Sequence, residues 1–334
     1  GPLRLSLFLQ TEITGGLHVK GKKSLEFIFW MVFSALMYAV GMSVAVTAPL
    51  MILAAPVPFM MIVRRLGHRE AFIAIILGTG LIQVLLGTVS ALMFLVAFAT
   101  LGTTLGLFSL KAKSGVDYIA AAIMASVLSK VVLMVVFTRM TGVNPFILSP
   151  EAASSMVNSV SDVLASAGVG TSSSAVQSYA QEMVESIALL MPSMLILFSV
   201  LDTFVSYGIV RKALLRLGDD SFIKLPPFGS WRCPKNILWA LLASLIMDVA
   251  SKAFPDQRLF TVLSINLMEV MRGVFMVEGL SLMWYFMTKR NTSKYIKIAA
   301  VSFCAVFSPA SYILSMVGIF DIWYDLRKRI RRKK

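Results

Sequence analysis

From Leu25 to Phe320 the apolar residues fall into runs about as long as a bilayer is thick, and polar residues collect between the runs. The runs lie at 25–45, 46–63, 71–88, 90–109, 116–138, 184–210, 236–254, 259–288 and 296–322. The pattern predicts an all-α fold, a polytopic transmembrane helical bundle of about eight or nine spans.

Three places break the pattern. Residues 46–63 hold Pro49, Pro56 and Pro58, so that span is expected to be short or irregular and sheltered by protein. The runs 71–88 and 90–109 are expected to form a hairpin. Residues 140–183 are rich in Ser, Ala, Gly and Val and contain no spanning run. There Ser149-Pro150-Glu151 reads as a helix start, followed by Met156, Val160, Val163, Leu164 and Ala167 at helical spacing. This predicts a short amphipathic outer helix, read either as an ordered surface segment or as a lid over an outward-facing cavity.

Charge supplies the orientation. Only 14% of the 334 residues are charged, mean hydropathy is +0.81, and the formal net charge is +14. The basic residues cluster at span ends: Lys20, Lys22 and Lys23; Arg64, Arg65 and Arg69; Lys111 and Lys113; Arg211, Lys212 and Arg216; Lys289, Arg290, Lys294 and Lys297; and Arg327 to Lys334. That is the positive-inside distribution, so nucleic acid is not an expected partner and membrane lipids are. Both termini are expected in the cytoplasm, in a bacterial inner (cytoplasmic) membrane. Nine single crossings would put the basic C-terminus outside. Either 296–322 is therefore a broken hairpin at Ser308-Pro309 and Gly318, or 259–275 lies along the outer interface. The implied organisation is a cytoplasmic segment 1–24, a six-span core 25–212, a cytoplasmic loop 213–235, C-terminal membrane helices 236–322 and a basic tail 323–334. The leading Gly1-Pro2 reads as an expression remnant, and no cleavable signal peptide is expected.

Candidate chemistry is sparse. Cys233 and Cys304 lie far apart, the only histidines are His18 and His68, and no phosphate-binding, zinc-hydrolase or nucleophile-elbow motif occurs. No catalysis, metal or cofactor is expected. What stands out is ionisable residues inside spans, where each costs about 2.5–3.5 kcal/mol on insertion scales and marks an interior pathway or pair. Lys130 follows Ser126 by one turn, with Asp202 its first expected partner and Asp248 or Glu269 behind it. Asp202 sits in a stripe with Ser199, Thr203 and Ser206. Asn266, Glu269 and Arg272 recur every third residue on one broad helix face, and Glu278 points away from Glu269. Each fits either a structural ion pair that fixes helix register or the lining of a ligand site. Ala35, Ala39 and Ser43, and likewise Gly102 and Gly106, place small residues every fourth position. Such spacing lets helices approach closely, within this chain or in docking a partner membrane protein. The 21 Met and 22 Phe fit a packed core or an adaptable cavity.

Several segments together resemble the YybS-like family of uncharacterised bacterial membrane proteins. They are RRLGHREAF at 64–72, PSMLILFSVLDTFVSYGIVRKALLRLG at 192–218, LPPF at 225–228, CPKNILWALL at 233–242, NLMEVMRGVFMVEGLSLMWYF at 266–286 and GIFDIWYDLRKRI at 318–330. That family looks similar in turn to the S components of energy-coupling-factor vitamin transporters and to the cell-shape protein MreD. The resemblance implies six S-component-like spans over 25–212, docking of another subunit through Ala35 and Ala39, and a small-molecule or lipid ligand. It equally implies an MreD-like scaffold, while lipid binding or translocation is a further expectation that would suit the Met- and Phe-rich interior.

Overall fold

A computed structural model describes residues 2–44, 47–142, 150–166, 168 and 173–328, with side chains for 21–44, 47–142, 153–166, 168, 174, 176–305 and 307–328. Among the described residues every regular element is helical: α1 (Pro2–Ser43), α2 (Ala48–Ala54), α3 (Val57–Arg65), α4 (His68–Phe94), α5 (Leu101–Lys111), α6 (Gly115–Thr141), α7 (Pro150–Ser166), α8 (Ser173–Arg216), α9 (Ile237–Ala253), α10 (Arg258–Lys289), α11 (Lys294–Val306) and α12 (Ser308–Tyr324). A π-helical turn, Leu95–Thr100, joins α4 to α5. Two compact units result, Gly1–Pro145 with Phe198–Lys224, and Phe146–Leu197 with Leu225–Lys334.

Six stretches, not eight or nine, are long and apolar enough to cross a membrane among the described residues, or up to seven if α11 and α12 form one broken span. Two features account for the difference. The stretch 68–111 is unbroken by a loop, but Gly87 takes a left-handed φ of 85° inside it. Beyond that residue the chain returns: a side chain on Gly78 would meet the Phe94 ring at 3.2 Å, although sixteen residues of straight helix would separate them by about 24 Å. Hence 68–111 is two antiparallel arms, as the expected hairpin requires. The other feature is α9, whose 17 residues are short for a crossing.

In the first unit, α1, α3 and the α4–α5 arms pack around Tyr38, Phe59, Phe94 and Phe98, with Tyr38 edge-on to both Phe94 and Phe98. Gly102 and Gly106 let α5 lie directly on α3. A methyl at Gly102 would stand 2.5 Å from the Pro56 carbonyl oxygen, and one at Gly106 would stand 2.7 Å from Val63 Cβ. These glycines therefore serve packing within the chain, one of the two uses that their spacing allows. Ala35 is also buried in this core, whereas Ala39 is half-buried and Ser43 exposed. The irregular turn at Leu95–Thr100 loosens the backbone ladder, and Ser129 Oγ donates to the Val96 carbonyl there at 3.0 Å.

In the second unit α10 packs against α9 and α12. Gly279 and Gly318 make the α10–α12 crossing. A Cβ on Gly279 would fall 2.1 Å from the Leu314 carbonyl oxygen, and one on Gly318 would fall 2.0 Å from that of Phe275. Ser315 Oγ donates across the same crossing to the Arg272 carbonyl. A bend of 100° separates α11 from α12, in line with the break expected at Ser308-Pro309. The helix start read at Ser149-Pro150-Glu151 falls partly outside the described residues; α7 begins at Pro150. α8 starts at Ser173, some ten residues before the expected sixth span. Apolar content marked only the membrane-deep part; polar residues such as Gln181, bonded to Glu185 one turn on, extend the helix beyond it.

Candidate functional site

The ionisable residues that the sequence places in the spans gather into four groups among the described residues, one in the first unit and three in the second. In the first unit α6 carries Ser126 and Lys130 one turn apart, and α8 carries Asp202. Lys130 Nζ pairs with Asp202 and donates to Ser126 Oγ at 2.7 Å. Ser126 Oγ in turn lies 2.9 Å from both Asp202 oxygens. The Asp202 side chain is 3% exposed and that of Lys130 17%. Opposite charges so close make the pair neutral as a unit, which offsets much of the cost of two separate charges in hydrocarbon. Thr203, beside Asp202, turns its hydroxyl back to the Ser199 carbonyl, so that stripe is largely self-satisfied.

In the second unit Asn266 solves a backbone problem. Pro192 interrupts α8, and the turn beside it lets a foreign amide into the helix ladder. Asn266 Oδ1 accepts from the Ser193 N–H at 2.8 Å, while its Nδ2 donates to the Leu189 carbonyl at 2.7 Å and to Val262 at 2.8 Å. The side chain thus bridges the two groups that would otherwise bond each other across one helical turn. In hydrocarbon, where water cannot satisfy freed backbone groups, such a bridge replaces the solvent.

Asn266 does not share a cluster with Glu269 and Arg272. Those two pair with each other, and the Arg272 guanidinium lies 4.6 Å from the Tyr312 ring centroid. Steps of three residues turn a helix by about 300°, so 266 and 272 diverge by about 120°, one toward α8 and the other toward α12. Asp248 pairs locally with Lys252 at 2.6 Å near the end of α9, where Lys252 is well exposed and Asp248 half-buried.

The most buried group was only partly anticipated. Arg327 donates through Nε to Asp321 Oδ2 at 3.0 Å, through one terminal nitrogen to the Gly229 carbonyl at 2.7 Å, and through the other to Glu278 Oε1 at 3.1 Å and Ser281 Oγ at 3.2 Å. Glu278 also accepts the Cys233 N–H at 2.7 Å, and Ser281 Oγ donates to the Phe228 and Trp231 carbonyls. One guanidinium therefore ties the 225–235 loop, α10 and the end of α12 together. At the rim Arg232 pairs with Asp325 and holds that carboxyl down at about 2. Burial, reinforced by the Glu278 charge, pushes the Cys233 thiol up to about 12, so it is an inert thiol. Sequence reading placed Arg327 in the basic tail and passed over Asp321. The available signal was an acid inside the apolar run IFDIWY, followed six residues later by an arginine.

These geometries give a direct test of the first pair. Removing one member of a buried pair costs about 3–5 kcal/mol because the other charge is stranded. Lys130→Met should lower the melting temperature of the detergent-purified protein, and Asp202→Asn added to it should restore part of the loss. Additive losses in the double mutant would show that the two residues are not coupled.

A search of solved structures finds no match. Among curated proteins, the chain is 19% identical over 151 residues to the "Uncharacterized protein YybS" of Bacillus subtilis (strain 168), a stretch covering 45% of this chain and 48% of that protein. The chain thus matches about half the length of this relative. Its residues 31–322 match the family described as "Predicted membrane protein (DUF2232)". Match length, helical architecture and spanning stretches agree: this chain is a multi-pass membrane protein of the DUF2232 family.

Proposed function

We propose that the protein is a non-enzymatic binding or transport subunit whose ligand engages Lys130. The observation that carries this reading is the Lys130 ammonium itself. It sits within a span, two of its three donors are committed to Ser126 and Asp202, and its side chain keeps 17% exposure. An anionic group reaching that amine would compete with Asp202, exchanging one ion pair for another at little electrostatic cost. Interior sites of membrane transporters commonly work in this way, with the polar residues of the span as the pathway. An S-component-like role for residues 25–212, expected from the family resemblance, would accord with it. Docking of another subunit would then fall on the exposed side of α1 near Ala39 and Ser43, where Leu36 and Val40 are also exposed. A second reading, an MreD-like scaffold, draws support from Asn266, Glu278 and Arg327, whose polar groups are committed to partners within the chain.

Native mass spectrometry of the gently purified protein separates the readings. A small anionic molecule retained by the wild type and lost in Lys130→Met is the expected result. A lipid lost in the same way would shift the assignment to lipid handling. An empty wild type, together with a Lys130→Met/Asp202→Asn double mutant that still supports its cellular role, would overturn binding in favour of the scaffold.

We also propose that both termini and the 213–235 loop face the cytoplasm of a bacterial inner membrane. The support is the clustering of Lys and Arg at span ends. The hydrogen bond from Arg327 to the Gly229 carbonyl adds to it by holding the end of α12 and the 225–235 loop on one side. Fusions of an export-dependent reporter after Lys235 and after Lys334 should both stay inactive. Activity at either position would overturn the orientation.

A further inference from the structure

A groove of about 540 Å3 opens in the first unit between the start of the membrane-spanning part of α1 and the start of α4; its lining includes Lys23, Phe27, Ile28, Leu66, Glu70 and Ile73. Its position along the chain is distinctive. Three elements switch between charged and apolar at this one level: Lys22 and Lys23 before Leu25 on α1, Val63 before Arg64 and Arg65 at the end of α3, and Arg69 and Glu70 before Phe72 and Ile73 on α4. In a membrane protein such a level is the boundary between headgroups and hydrocarbon. The groove therefore straddles that boundary, with apolar walls below and charges above. Ile28 and Ile73 are 51% and 43% exposed, and Phe72 beside them is 67% exposed, so the walls are open to acyl chains.

The charges at the rim narrow the occupant. Arg65 is already neutralised, its Nε 2.8 Å from Glu26 Oε1. Lys23 and Glu70 form no ion pair among the described residues, so one cation and one anion remain at the mouth of an apolar groove. A headgroup matching both carries a phosphate and a free ammonium. We infer that this groove binds an aminophospholipid of the phosphatidylethanolamine type, with its phosphate toward Lys23, its ammonium toward Glu70 and its acyl chains along Phe27, Leu66 and Ile73. A purely acidic lipid would satisfy Lys23 and be repelled by Glu70. A choline headgroup would present a bulky, non-donating cation to the carboxylate. The site is distinct from Lys130 and stands whether or not that residue binds a ligand.

The test uses the full chain, delipidated in detergent and incubated with an equal mixture of phosphatidylethanolamine, phosphatidylglycerol and phosphatidylcholine before native mass spectrometry. The wild type should retain phosphatidylethanolamine preferentially. Glu70→Gln should reduce the preference over phosphatidylglycerol by about threefold, the scale of one exposed charge pair. Lys23→Ala should lower retention of all three lipids, and Ile73→Trp, which fills the groove, should do the same. Melting curves of each variant confirm that the fold persists, which is expected for changes at these accessible positions. Equal retention of the three lipids by the wild type would overturn the inference. So would a phosphatidylglycerol preference, or a phosphatidylethanolamine preference that survives Glu70→Gln.

Discussion

Hydrocarbon offers no hydrogen bonds, and the cost of leaving a charge or backbone group unmatched in it governs the interior of this protein. Each conspicuous polar residue inside a span answers that cost with a partner from the chain. Lys130 and Asp202 neutralise each other across two helices, with Ser126 bonded to both. Asn266 stands in for the solvent beside Pro192 by joining Ser193 N–H to the Leu189 carbonyl. Arg327 gathers Glu278, Asp321, Ser281 and a loop carbonyl around one guanidinium. A bidentate, always-charged fork suits that last task, since a lysine offers one point charge in place of several directed donors.

Apolar helices in lipid have little hydrophobic reason to associate, so close backbone approach and polar bridges must hold them. The glycines show where that approach occurs. Gly102 and Gly106 bring α5 onto α3 in the first unit, and Gly279 and Gly318 bring α12 onto α10 in the second. Directly beside the second crossing lies the Arg327 group, because Asp321 follows Gly318 by one turn and Glu278 precedes Gly279. Packing and electrostatics thus fall on the same few residues. The functional suggestions rest on what this arrangement leaves over: a partly exposed ammonium at Lys130, and a Lys23 and Glu70 without an ion-pair partner among the described residues, at the mouth of a lipid-level groove.

Much of this was legible along the chain. The membrane class, the hairpin within 68–111, the break at Ser308-Pro309 and the choice of Asp202 as first partner for Lys130 all follow from apolar run length, proline position and the price of buried charge. Other features were hidden for physical reasons. Small residues at a spacing of four read the same whether they serve internal packing or docking, so the destination of Gly102 and Gly106 needed the structure. Helical periodicity grouped Asn266 with Glu269 and Arg272, but a drift of about 120° over six residues sends them to different neighbours. Asp321 sits near the end of a span and Arg327 among other basic residues, where local pattern suggests snorkelling and a solvated tail. Their pairing depends on the 225–235 loop folding back, and no local pattern encodes that. Span counting by hydropathy also runs past α9, which is apolar but short.

The claim that internal pairing of buried charge organises the fold is tested most directly at Arg327, by hydrogen exchange of the wild type and Arg327→Met in nanodiscs. Loss of the guanidinium should strand Glu278 and Asp321 and release the loop. Exchange should therefore rise in 228–233 and in 318–326, while 57–65 in the other unit keeps its protection. Unchanged exchange at 228–233 and 318–326 would contradict the account, because the loop and the helix end would then be held by packing alone.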